Sequence, residues 1–370
     1  MSALLEPAEA LALLGDGLDD EAIGPAAGRP LLALALSEDG STDDDVARLA
    51  ELVRTSPVVL VGVRHGPARS TEALASLDVL ICAQADPPRP WIGCPGAVDE
   101  EVAALADAAA ASPVAAAAVA QLLRVGEPLS LVDAVVAESW VYGLLQGGGA
   151  HRGWLFERSD RRRRPRPDGA VVEVGRHDDV LAVTLDRPEV RNAYGARMRD
   201  ELVAALQVAR VDPTITRVEL RGAGPAFCSG GDLDEFGTAP DPADAHVVRT
   251  TRNAGIQLAG LAERVTAYVH GACVGAGVEL PAFVSEVVAR SDATFRLPEI
   301  AMGLVPGAGG TASIPRRVGR HRATHLALRG RPIDAATALA WGLVDRIDDA
   351  AFDGEGLSSA DDRPEGAAPR

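Results

Sequence analysis

The stretch that most restricts the fold is Val269-His-Gly-Ala-Cys-Val-Gly-Ala-Gly-Val-Glu-Leu280, where an apolar run ends in a glycine-rich bend with one carboxylate, Glu279, on its far side. Glycine lacks a Cβ, so the backbone reaches torsions closed to other residues and a ligand can approach the main chain. If the alanine-rich stretch that follows is helical, the bend exposes amide N–H groups at a helix start, which favours negative charge developing nearby. A glutamate beside such a bend can act as acid or base on the atom next to that charge. Gly-x-Gly bends are also common in ordinary α/β proteins, so this segment by itself selects no reaction.

A chain of 370 residues has the length for two domains, and 47% hydrophobic content permits a substantial core. A formal charge of −17 and a pI near 4.9 argue against nucleic acid as the principal partner. A phosphate-bearing small ligand would need a local basic patch. Cys82, Cys94, Cys228 and Cys273 show neither metal-ligand spacing nor a disulfide framework. No metal is expected, and the four read as small, mostly buried thiols in a reducing compartment. Met1-Ser-Ala-Leu-Leu-Glu-Pro7 has neither a basic leader nor a signal-length apolar core, and no apolar span reaches membrane-crossing length. A cytoplasmic protein without a membrane partner is the expectation.

Residues up to about Pro30 are polar and glycine-punctuated. Buried strands are expected at Pro30–Leu36, Val58–Val63, Asp78–Ala83 and around Trp91–Gly93, with helices at Asp43–Arg54, Val98–Ala111, Pro113–Arg124 and Leu129–Leu145. Strands alternating with helices argue for α/β layering. The run Ser159-Asp-Arg-Arg-Arg-Arg-Pro-Arg-Pro-Asp-Gly169 reads as a solvated interdomain linker rather than a basic docking patch. Beyond it, strands are expected at Val171–Val174, Val180–Leu185, Val218–Arg221, Val265–Val269 and Thr294–Leu297. Helices are expected at Ala196–Arg210, Ala243–Ala262, Ser313–Val318, Ala323–Arg329 and Ala335–Trp341. This divides the chain into an α/β domain over 1–157, an Arg/Pro-rich linker over 158–169, a second domain over 170–350 and a tail over 351–370 that is expected to be disordered.

Four stretches in register carry a family resemblance: Arg187-Pro-Glu-Val-Arg-Asn-Ala193, Ala226-Phe-Cys-Ser-Gly-Gly-Asp-Leu233, Gly275-Ala-Gly-Val-Glu279, and Phe295-Arg-Leu-Pro-Glu299 with Pro306-Gly-Ala-Gly-Gly310. In this order they resemble the crotonase superfamily, the enoyl-CoA hydratase/isomerase family, over about residues 170–348. The resemblance implies an α/β crotonase (ClpP/crotonase-like) spiral β-β-α core with peripheral helices, here preceded by a smaller α/β domain. It implies an acyl-CoA enzyme that stabilises a thioester enolate, with coenzyme A as part of the substrate and no bound cofactor. Two backbone amides would bind the thioester oxygen, and carried over they are those of Ser229 and Ala276. Glutamates at both catalytic positions, Glu279 and Glu299, match the hydratase branch: Glu299 would protonate C2 while Glu279 activates water for attack at C3. Arg191 is the phosphate contact that the resemblance suggests. Ala193, Ala226, Gly230, Gly231 and Asp232 fall on the substrate side, with Asp232 fixing the loop rather than reacting. His270 reads as a structural histidine.

The sequence also departs from the family. Pro281 interrupts the helix after Glu279, Ala276 stands where glycine is usual, and the usual carboxy-terminal helices are missing after Asp348. The first domain lacks both site motifs and reads as a degenerate copy, or a permuted part, of the same fold. Residues 112–154 read like the missing helices, and the apolar stripe of 129–145 needs a partner, expected around Leu326–Trp341. Hydration of a 2-enoyl-CoA is the expected reaction. The alternatives are a double-bond isomerase, another crotonase reaction, or a non-catalytic assembly protein. A homo-oligomer, a trimer or a multiple of it, is expected by the same resemblance.

Overall fold

The computed structural model describes residues 4–14, 23–52, 54, 56–161, 164, 168–239 and 241–353. The tail from residue 354, and residues 162, 163 and 165–167 of the expected linker, lie outside the described residues. Helix α1 (Pro7–Leu14) precedes a four-stranded parallel sheet whose strands pair in sequence order: β1 (Leu31–Ala35), β2 (Val59–Arg64), β3 (Val79–Cys82) and β4 (Ile92–Gly93). Helices α2 (Asp43–Leu52) and α3 (Glu72–Ala75) connect them. Side chains alternate across a strand, so the sheet feeds two cores. Leu60, Leu80 and Cys82 close a small core with Leu49, Leu77 and Trp91. Val59, Val61, Val79 and Ile81 face the other way, into a larger core that continues through residues 171–344. Hydrophobic packing therefore crosses the expected boundary at 157.

Helices α4 (Val98–Ala111) and α5 (Pro113–Gly126) turn through 108° at Ser112. Pro113 opens α5, at a helix start where a missing N–H loses no intrahelical bond. Helix α6 (Leu131–Gln146) begins at Ser130, whose hydroxyl accepts from the Asp133 amide at 3.2 Å, and α7 (Gly149–Phe156) follows. No single helix among the described residues is long and apolar enough to cross a membrane.

The second half opens with the hairpin β5 (Val172–His177) and β6 (Val180–Leu185), then α8 (Ala196–Val211), β7 (Arg217–Gly222), α9 (Pro242–Thr251), α10 (Ala254–Ala259), β8 (Val265–Val269), β9 (Ala272–Val274) and the single turn α11 (Ala276–Glu279). Next come β10 (Glu286–Ala289), β11 (Thr294–Arg296), α12 (Gly310–Val318), α13 (Arg320–Arg329), β12 (Ile333–Asp334), α14 (Ala335–Trp341) and β13 (Arg346–Ile347). Six strands form one sheet in the order β13-β10-β8-β7-β6-β5, parallel except for the hairpin, while β12-β11-β9 form a smaller sheet beside it. This is the crotonase-like α/β core with a separate parallel sheet ahead of it.

Several expectations change. The helix expected over Ala243–Ala262 is two helices, because Asn253 leaves helical torsions and caps α10, accepting from the Ile256 amide at 2.9 Å. Pro281 ends α11 after one turn and starts a 3-10 turn over Pro281–Phe283. Residues 349–352, across the expected boundary between the second domain and the tail, form a 3-10 turn whose Phe352 ring packs on His270. Helix α6 does not pair with Leu326–Trp341. It lies against α9, α12 and α5, and α13 is covered by α4 and α5 instead.

Polar contacts lock the two halves together. Arg320 of α13 donates to the carbonyls of Leu77 (3.0 Å) and Ala75 (2.6 Å) and to Asp78 (3.2 Å), and Arg124 of α5 pairs with the same buried aspartate. His325 and Arg329 both reach Glu101 of α4.

Candidate active site

Two glycine turns lie side by side at the ends of β7 and β9. The Cys228 amide donates to the Ala272 carbonyl and the Val274 amide to the Cys228 carbonyl, at 3.3 and 2.9 Å. Gly230 (φ +89°) and Gly275 (φ +50°) both adopt left-handed torsions, and a Cβ on Gly230 would sit 3.0 Å from the Val274 carbonyl oxygen. Only glycine allows this approach at no steric cost. Asn192, fully buried, staples the first turn: its Nδ2 donates to the carbonyls of Ala223, Ala226 and Phe227, and its Oδ1 accepts from the Arg187 amide. The buried Arg187–Asp232 pair, at 2.9 Å, closes the loop from the other side.

This geometry corrects one assignment. The Ser229 amide donates to the Arg191 carbonyl at 2.8 Å, and the Ser229 hydroxyl donates to the Val190 carbonyl at 3.1 Å. That amide already has its acceptor and is not available to a thioester oxygen. The available donor lies two residues on. Gly231 forms a parallel bridge with Tyr194, in which the Gly230 carbonyl and the Asp232 amide make the bonds. Such a bridge leaves the N–H of the central residue directed away from its partner strand. Ala276 occupies the first position of α11, where an amide has no intrahelical acceptor. Gly231 and Ala276 both line one cavity, and neither amide donates a hydrogen bond among the described residues.

That cavity, about 690 Å³, also receives both expected acids. Glu279, 2% exposed, places Oε2 on the amides of Ala308 (2.7 Å) and Gly310 (2.8 Å) in the second glycine-rich turn. Burial pushes its carboxyl up to about 7, against the lowering effect of those two amides. Glu299 follows Pro298 on a 3-10 turn and has Oε2 buried without a hydrogen-bond partner. Burial first, and then the Glu279 charge, hold its carboxyl well above the ordinary range. The two acids are thus held differently: one grips backbone donors, the other keeps a buried oxygen without a partner.

The first half of the chain contributes to the same cavity. Tyr142 and Gln146 of α6 and His151 and Leu155 of α7 line it, so the site is not confined to the second domain. Glu138, one turn before Tyr142, is buried and accepts from the amides of Gly309 (2.7 Å) and Thr311 (2.8 Å) and from the Thr311 hydroxyl (2.7 Å). His151 hydrogen-bonds the Met302 carbonyl through Nδ1 at 2.9 Å, and burial lowers its pKa. These residues escaped the sequence reading. The signal for them was a lone glutamate inside an otherwise apolar helix, which rarely survives burial without partners. Among the other expected site residues, Asp232 lines the cavity, whereas Arg191, Ala193 and Ala226 do not. Arg191 is exposed, and Ala193 and Ala226 are buried with their carbonyls facing Arg187 and Asn192. His270 hydrogen-bonds the Gly224 carbonyl at 2.9 Å, as a structural histidine would. Among the described residues no group of three His, Cys, Asp or Glu side chains could hold a metal ion.

The family model described as enoyl-CoA hydratase/isomerase matches residues 175–353. A 2,3-dehydroadipyl-CoA hydratase of Escherichia coli (strain K12) is 36% identical over 174 residues, covering 47% of this chain and 68% of that protein. The chain belongs to the enoyl-CoA hydratase/isomerase family. It is also similar to a mevalonyl-coenzyme A hydratase of Beauveria bassiana (strain ARSEF 2860), 36% identical over 176 residues, covering 45% of this chain and 63% of that one. A 1,2-epoxyphenylacetyl-CoA isomerase of Escherichia coli (strain K12) is 37% identical over 175 residues, covering 46% and 66%. The match therefore spans 63–68% of these relatives' lengths. The enoyl-CoA hydratase/isomerase match contains the glycine turns, Glu279 and Glu299, whereas α6 and α7, which close the cavity, lie outside it.

Proposed function

We propose that this member of the family adds water across the double bond of a 2-enoyl-CoA thioester. Water attacks C3, and electron density moves through C2 to the thioester oxygen, where the Gly231 and Ala276 amides receive the charge. Donors already aimed at that oxygen need no reorganisation and are worth about 3 kcal/mol each. Glu279, ionised as the pH passes about 7, takes the proton of the attacking water. Glu299, kept protonated, delivers its proton to C2 as the enolate collapses. The observation that carries this reading is two buried carboxylates, one held by backbone amides and one with an unpartnered oxygen, in the same cavity as two unengaged amides. In the same proposal Arg191, exposed on the rim of the first loop, meets a coenzyme A phosphate, and the chain assembles as a homo-oligomer.

The test is a spectrophotometric screen of short-chain, medium-chain and ring-containing 2-enoyl-CoAs, following loss of the conjugated thioester chromophore. Glu279→Gln and Glu299→Gln should each lower kcat by at least about 100-fold, the usual loss when a positioned acid or base is removed. Wild-type rates in either variant would refute the assigned role. Membership of a family described as enoyl-CoA hydratase/isomerase makes double-bond migration the second reading. That reaction needs one carboxylate, so one of the two substitutions would then be tolerated.

A further inference from the structure

The mechanism above leaves one buried acid unused. Glu138 sits on α6, and its carboxylate faces the turn that holds Glu279. The four successive amides of that turn alternate between the two acids: Ala308 and Gly310 donate to Glu279, and Gly309 and Thr311 donate to Glu138. Tyr142, four residues along α6, lays its ring against Gly307, where a Cβ would clash with it. The Ser313 hydroxyl donates to the Glu279 carbonyl at 2.9 Å, tying the end of the turn back to α11.

We infer that Glu138 is a positioning residue for Glu279: the two carboxylates clamp one turn between them and share a single proton. The inference rests on Glu279 being the base of the proposed reaction. Among the described residues neither acid has a cation partner. Arg249 of α9, whose pKa burial lowers and the Glu138 charge raises, donates instead to Ser139 and Gln146. The other titratable groups about Glu138 are Glu279, Glu299 and Tyr142, with His246 of α9 bonded to Ser139. Arg316 of α12 turns away to the Leu129 carbonyl, and Arg124 of α5 to Asp78.

Two charges buried behind one turn of neutral donors repel each other, so the pair keeps one proton near neutrality. Burial and the neighbouring Glu279 charge push Glu138 up to about 8, while Glu279 reaches about 7. Because the Glu279 charge is among the causes that raise Glu138, the shared proton is placed on Glu138 in this proposal, which leaves Glu279 to act on water. The Thr311 hydroxyl can serve both states, donating to the Glu138 carboxylate and accepting from its acid form. Glutamine at 138 would turn an NH₂ toward a backbone N–H, which loosens the turn.

The experiment is carbon NMR of the full chain labelled at the glutamate carboxyl carbons, titrated from pH 4 to pH 10, with Glu138→Gln and Glu279→Gln used for assignment. Wild type should show Glu138 and Glu279 titrating near neutrality in two linked steps. In Glu138→Gln the Glu279 carbon should titrate in a single step, and in Glu279→Gln the Glu138 carbon should titrate at lower pH, because the Glu279 charge no longer opposes its ionisation. In the enoyl-CoA assay the same variant should lose kcat by about 10- to 100-fold, since misplacement by about 1 Å costs up to about 100-fold, with KM nearly unchanged. Glu138→Asp should restore the second titration step and only part of kcat. A second Glu279 step that persists in Glu138→Gln, or a Glu138 titration identical in wild type and Glu279→Gln, would overturn the inference. So would ordinary carboxylate titration of both carbons in wild type, a result that does not depend on whether the variant folds. Linked titration in a wild type that hydrates no enoyl-CoA would uphold the clamp and reject the proposed reaction.

Discussion

The Ser229 amide is held by the Arg191 carbonyl at 2.8 Å, so the oxyanion donor proposed for the first loop is the amide of Gly231, which lines the cavity. Arg191 and Asn192 both sit in the left-handed region, with φ of 53° and 55°, and this turn brings the carbonyl to Ser229. Ser229 is thus part of the loop's frame, and Ser229→Ala, which keeps the amide, should retain most activity. Ala276→Pro removes only an N–H at the first position of α11, where proline is well tolerated. It should lower kcat by about 100- to 1000-fold, the usual loss of one oxyanion donor, with the melting temperature little changed. The reverse ranking of the two variants in kcat would mean that the charge is bound elsewhere.

Gly275 makes a second, sharper case. Its φ is +50°, and a Cβ there would come 2.5 Å from Glu299 Oε1. Gly275→Ala should destabilise by about 1–2 kcal/mol from the left-handed backbone alone and also displace Glu299. The check is a KM-against-kcat comparison beside thermal unfolding. Loss of stability with kcat intact would show that Glu299 is not in the reaction.

Much of this site was legible in the sequence because its chemistry is local. Gly275, Ala276 and Glu279 lie within one turn, and Pro298-Glu299 follows a short strand, so motif order alone brought them together. What was not legible depends on tertiary contact. Nothing in Phe227-Cys-Ser-Gly-Gly-Asp232 says which amide Arg191 will occupy, so the assignment fell two residues short. Strand β10, Glu286-Val-Val-Ala289, was missed because four residues carry too little periodicity, although it is a central strand of the large sheet. Helix α1, Pro7-Ala-Glu-Ala-Leu-Ala-Leu-Leu14, was passed over in a stretch read as featureless. Glu138 was visible as an anomaly but not as a site residue, since its partners lie more than 170 positions away.

Stability should fall with rising pH across neutrality. Glu138, Glu279 and Glu299 have folded-state pKa values above their unfolded ones. Their contribution is complete below about pH 4.3, the unfolded value, and is lost as pH rises through 7 and 8. Each excess proton bound by the folded state changes stability by about 1.4 kcal/mol per pH unit. The buried histidines His151, His270 and His321 titrate with the opposite sign, but their contribution is complete by about pH 7. Unfolding measured from pH 6.5 to 8.5 should therefore show a declining melting temperature in wild type and a flatter profile in Glu138→Gln. A wild-type curve that rises over this interval would contradict the protonation states assigned to the acids.

Separating the halves should damage both. Residues 170–370 alone would expose the faces of α12 and α13 that α4, α5 and α6 cover, and would leave Arg320 without the Asp78 and backbone acceptors that now satisfy it. Breaking a buried ion pair by removing one partner costs about 3–5 kcal/mol. The fragment should aggregate or unfold at lower temperature, and adding residues 1–169 should restore solubility. A stable, fully active fragment would show that the first half is dispensable to the site.

The most direct test of the central claim is the fate of solvent oxygen. The full chain is incubated with a 2-enoyl-CoA in water enriched in oxygen-18, and the product is analysed by mass spectrometry. The account predicts a 3-hydroxyacyl-CoA carrying the heavy oxygen at C3, formed by wild type and not by the Glu279→Gln/Glu299→Gln double variant. A product of unchanged mass with the double bond moved, or equal incorporation by the double variant, would contradict it.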